Sequence, residues 1–125
     1  MRLSLNGLSS LLKSNAAEIV FRRRRPGPTP FRRMLCTNDL KLLQSIPGKL
    51  ALNYRRPTGY PPYNPTRYNL LIVWDLFMQD FRMVPVDATE VISVLPTTPS
   101  DDFWNYFNEK LSTMSASDKI SFMHD

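Results

Sequence analysis

Apolar positions recur along this chain with two different periods. Leu5, Leu8, Leu11 and Leu12 fall on one helical face, which predicts a short helix within residues 3–14. Gly7 and the serines around it weaken that helix. From residue 17 to residue 24 the period drops to two. Ile19 and Phe21 alternate with Glu18, Val20 and Arg22, the pattern of a strand with one buried face. Pro26, Pro28 and Pro30 then break pairing, and residues 31–37 (FRRMLCT) return as a second strand. A short helix is expected over residues 39–46, capped by Thr37 or Asn38, with Leu40, Leu43 and Ile46 inward and Pro47-Gly48 ending it.

Residues 49–54 suit another short strand, and residues 55–68 form a loop with four prolines and three tyrosines. The most apolar run, residues 69–75 (NLLIVWD), reads as a buried central strand with Trp74 in the core. Residues 81–86 and 90–96 alternate as two further strands around an Asp87-Ala88-Thr89 turn. Beyond Pro96 the period returns to that of a helix. Thr98 is expected to cap, with Pro99 at the first helical position, ahead of Phe103, Phe107, Leu111 and Met114. Ser115 and Asp118 open a last short helix carrying Ile120, Phe122 and Met123. The expected organisation is therefore an N-terminal docking helix (1–15), a β domain (16–97) with an inserted loop at 55–68, and a C-terminal helical extension (98–125).

The features from Ala17 to Leu95 resemble a known family. Arg33-Met34-x-Cys36-Thr37, Val73-Trp74-Asp75, Phe81-Arg82 and Val86-Asp87 are the parts that carry the likeness. The family comprises small phage proteins described as Sm-like, SH3-type β-barrels, related in name to the WYL domains of bacterial regulators. The resemblance implies a five-stranded, strongly bent antiparallel barrel and a phage origin, hence an intracellular setting in the host cytoplasm. It brings no defined site residues. The Tyr/Pro insertion and the terminal helices depart from that core. The mainly β class with flanking helices follows from the strand pattern alone.

Charge sharpens the picture. Residues 1–67 hold thirteen Lys and Arg against two acids, and residues 68–125 hold three against nine. Arg22, Arg23, Arg24, Arg25, Arg32 and Arg33 fall within twelve residues. Arginine forks suit phosphate and stack on bases, so a polyanion is the expected partner of this half. Tyr54, Tyr60, Tyr63 and Tyr68 interleave with Arg55, Arg56 and Arg67, a composition able to stack bases and hold phosphates. The competing readings are a solvated hairpin face, tyrosines packing the prolines, and arginines paired with the chain's own acidic half. A rival function is docking on a host or viral protein, with Phe103, Trp104 and Phe107 as the anchor, although an aromatic helix also serves simply to cover a core. A third is capture of a nucleotide signal by Arg32, Arg33 and Tyr54.

Enzyme chemistry lacks a recognisable basis. Cys36 and His124 are the single cysteine and histidine, with no motif joining them, so Cys36 reads as a core residue and His124 as a tail residue. Asp75, Asp80, Asp87 and Glu90 sit near strand ends, where acids commonly form turns. No catalytic residue, metal or cofactor is expected. No run approaches the roughly 20 apolar residues of a membrane helix. Residues 3–14 also have the look of a mitochondrial presequence, although a docking helix is the preferred reading.

Overall fold

The computed structural model describes residues 1–23, 30–45 and 65–123. The expected strand at 49–54, most of the inserted loop and His124 lie outside the described residues. Helix α1 spans Leu5–Ser14, and Ser4 caps it by accepting the Gly7 N–H at 3.1 Å. Strands β1 (Asn15–Arg22) and β2 (Phe31–Thr37) follow, then a one-turn helix α2 (Leu40–Leu43). Strands β3 (Leu70–Asp75), β4 (Asp80–Pro85) and β5 (Thr89–Pro96) complete the sheet. Short 3-10 turns precede β3 (Pro65–Tyr68) and β5 (Val86–Ala88). Helices α3 (Ser100–Thr113) and α4 (Ala116–Met123) end the chain.

The protein is mainly β. Its five strands form one antiparallel sheet in the order β4-β3-β2-β1-β5. Among the described residues the sheet is open, so of the five-stranded, strongly bent barrel expected from the sequence the structure shows the five antiparallel strands without closure. The β2–β3 ladder is confined to Cys36↔Asp75 and Thr37↔Trp74. The β3–β4 hairpin therefore diverges from the other strands, and β4 and β5 remain the two ends of the sheet. Among the described residues β4 and β5 do not pair with each other, and theirs is the ladder that closure would need.

Strand alternation sorts the apolar side chains into two cores. Ala17, Ile19, Met34, Cys36, Val73 and Val84 pack with Leu8 and Leu12 of α1. Ala16, Leu35 and Trp74 pack with Leu42 and Leu43 of α2, Phe103, Trp104 and Phe107 of α3, and Phe122 of α4. Leu70 and Trp74 are buried on one face of β3 and Val73 on the other, which accounts for most of the apolar run NLLIVWD, while Ile72 is exposed.

Two helix starts differ from expectation. Asp39 caps α2, its carboxylate accepting the Lys41 and Leu42 N–H groups, which turns Leu42 and Leu43 inward and leaves Leu40 exposed. Pro99 occupies the cap position of α3 and Ser100 its first turn, one residue later than expected; the Thr98–Pro99 peptide is cis. At α4 the Asp118 N–H donates to Ser115 Oγ at 3.1 Å, as the sequence suggests.

Candidate nucleic-acid interface

The arginines divide by strand geometry. Strands β1 and β2 pair with Phe21 opposite Arg32, Val20 opposite Arg33 and Arg22 opposite Phe31. Side chains alternate between faces, so Arg32 and Arg33 point to opposite sides of the sheet. Arg22 lies at the hairpin end, where the Arg23 N–H donates to the Pro30 carbonyl at 2.9 Å.

Arg32 is 3% exposed, on the face it shares with Met34 and Cys36. Its Nη2 donates to Asp75 Oδ2 at 2.8 Å. The other oxygen of Asp75 accepts the Phe77 and Met78 N–H groups, both at 3.1 Å, so this carboxylate also shapes the β3–β4 turn. Burial raises the Asp75 pKa above the ordinary aspartate value, while the Met78 N–H, Arg32 and Arg82 pull it back. Arg82 itself donates to Asp80 Oδ2 at 2.9 Å. Arg32 is thus a core ion-pair partner, which removes it both from a phosphate-contacting set and from a nucleotide pocket.

Arg33 is held differently. Its Nη2 meets Glu18 Oε1 at 2.7 Å and its Nη1 meets Asp118 Oδ1 at 3.2 Å. The guanidinium carbon sits 4.2 Å from the centroid of the Phe122 ring, a cation–π contact. Two carboxylates and a ring occupy this side chain, so Arg33 ties α4 to the sheet. The pairing of hairpin arginines with the chain's own acids therefore holds for Arg32 and Arg33.

Arg22 remains exposed and meets no carboxylate among the described residues. Arg23 is half-buried beside it. Arg67 is exposed at the 3-10 turn before β3, next to the exposed Tyr68. Arg24, Arg25, Tyr54, Arg55, Arg56, Tyr60 and Tyr63 lie outside the described residues. The structure adds Phe31, which is 56% exposed directly across from Arg22. Sequence reasoning missed it because Phe in a strand ordinarily signals core. Its place beside the proline turn was the available clue.

The proposed aromatic anchor is corrected. Phe103, Trp104 and Phe107 are 3%, 3% and 2% exposed and stack among themselves and on Phe77. The Trp104 indole N–H donates to Ser45 Oγ at 3.1 Å. These rings seal the core around Leu35 and Trp74 because the helical stripe they form is the apolar face that α3 must bury.

Cys36 is buried, and burial, aided by the Asp75 charge, raises its thiol pKa, which leaves the thiol protonated and inert. No group of three metal-ligating side chains occurs among the described residues. No helix among them is long and apolar enough to cross a membrane. Comparison with protein-family models, with curated proteins and with solved structures finds no match to this chain.

Proposed function

We propose that this protein binds nucleic acid through the end of the β1–β2 hairpin. Its first contact set is Arg22, Arg23, Arg24 and Arg25 with Phe31 as a stacking ring, and Arg67 with Tyr68 adds a second. Contacts go mainly to phosphate, with aromatic stacking and little sequence selectivity. The observation that carries this reading is an exposed arginine facing an exposed phenylalanine at the mouth of an arginine-rich hairpin. The charge count supports it further. The two acids of residues 1–67 are Glu18 and Asp39; the first is spent on Arg33 and the second on the α2 cap. Arg22, by contrast, meets no carboxylate among the described residues. The strand order, with the first strand between the second and the last, supports placing the fold as an opened form of the SH3-like barrel.

The test is fluorescence anisotropy with a random-sequence single-stranded oligonucleotide. The variant R22Q/R23Q/R24Q/R25Q is expected to lose retention, and R33Q, if folded, to keep it. Unchanged binding by the quadruple variant overturns the reading.

A further inference from the structure

At the other end of the β1–β2 hairpin lies a second polar, cationic feature. A groove of about 630 Å³ opens between the C-terminal half of α1, the β2–α2 connection and the segment after β5. Its lining includes Ser9, Lys13, Ser14, Asn38, Lys41 and Thr98. That volume is in the range of small-molecule sites, which span about 300–1,000 Å³. Two ammonium groups, three hydroxyls and an amide suit an anion with several acceptor oxygens.

The charges around the groove are accounted for. Lys13 and Lys41 meet no carboxylate within ion-pair distance among the described residues. The one acid in the wall is Asp39, which is 8% exposed. Its Oδ1 accepts the Lys41 and Leu42 N–H groups and its Oδ2 accepts the Thr97 hydroxyl. Both of its oxygens are thus already engaged from within the protein. The wall is also built on anchored backbone. The Asn38 N–H donates to the Leu12 carbonyl at 2.9 Å, and its side-chain amide donates to the Ile72 carbonyl at 2.9 Å. Lys13 rides on α1 and Lys41 on α2, so both stems leave held elements.

We infer that this groove is a phosphate-binding site, distinct from the hairpin end, with Lys13 and Lys41 as its charge-bearing residues. Seven strand rises of about 3.3 Å place the two ends of β1 roughly 23 Å apart, so one phosphate cannot serve both. The phosphate belongs either to a free mononucleotide or to a nucleic-acid backbone that reaches beyond the hairpin.

Calorimetric titration of the full chain with inorganic phosphate and with adenosine monophosphate, and anisotropy with a single-stranded oligonucleotide, separate these sources. The variants are K13Q/K41Q and, as the hairpin control, R22Q/R23Q. Both lysines are exposed, so the first variant is expected to fold as the parent does. Binding of phosphate or adenosine monophosphate that K13Q/K41Q loses and R22Q/R23Q keeps supports the site with a free ligand. Oligonucleotide binding whose log–log salt slope falls in magnitude by about 1.4 in K13Q/K41Q supports it with a backbone ligand. If neither lysine-dependent effect is seen, the groove is not a phosphate site. That result is separable from failure of the hairpin reading, which R22Q/R23Q reports by itself.

Discussion

Arg32 and Arg33 are neighbours in sequence with opposite fates, and strand alternation is the whole reason. One faces the α1 side and meets Asp75; the other faces the α4 side and meets Glu18 and Asp118. A buried pair gains little over a well-packed apolar one, but removing one partner strands the other's charge. Arg32→Met is therefore expected to cost about 3 kcal/mol at neutral pH, read from denaturation midpoints. The pH dependence has a definite sign. A buried carboxyl whose folded pKa lies above the ordinary 3.8 binds its proton more tightly in the native state. Its contribution is most favourable below that ordinary value and declines as pH rises toward the raised one. Without Arg32 the pKa climbs further and the decline extends upward. The deficit of Arg32→Met should therefore be larger at about pH 7 than at about pH 4. An equal deficit at both would show that Asp75 is not left charged by the substitution.

At the scale of elements, α4 is held by one inserted ring and one screened ion pair. Phe122 is fully buried against Phe77, with ring centroids 5.0 Å apart, and carries Arg33 on its face. Asp118 is about half exposed at the rim. Phe122→Ala should cost about 3 kcal/mol, because a cavity replaces the ring. Asp118→Asn should cost less than about 1 kcal/mol, since an exposed pair is screened and entropically expensive. Denaturant midpoints of the two variants check the ranking, and a comparable loss from both would refute it. The element boundaries themselves were largely legible. Residues 31–37 form β2 as read, and the strands near 69–75, 81–86 and 90–96 differ by a residue at their ends. Proline and polar turns mark those limits locally. The caps were less legible, because Thr37, Asn38 and Asp39 are all competent caps. Only the fold engages Thr37 elsewhere, its hydroxyl donating to the Asn15 carbonyl at 2.9 Å.

For the whole molecule, the polarised charge survives folding in reduced form. If the hairpin arginines 22–25 each neutralise one phosphate of a single strand, the log–log salt slope of binding should be about −3. A slope near zero across the same salt range would instead mean that the contact is not electrostatic. Period and punctuation along the chain were enough to settle the mainly β class, the terminal helices and most core positions, because burial of apolar faces is a local pattern repeated often. Trp74 and Cys36 were placed in the core on that ground, and both are buried. Pairing across distance was another matter. An arginine's availability depends on which carboxylate the fold delivers to it, and Asp75 and Asp118 lie 43 and 85 residues away from their partners. Likewise, whether the end strands β4 and β5 meet is a matter of strand-on-strand geometry that no single segment encodes.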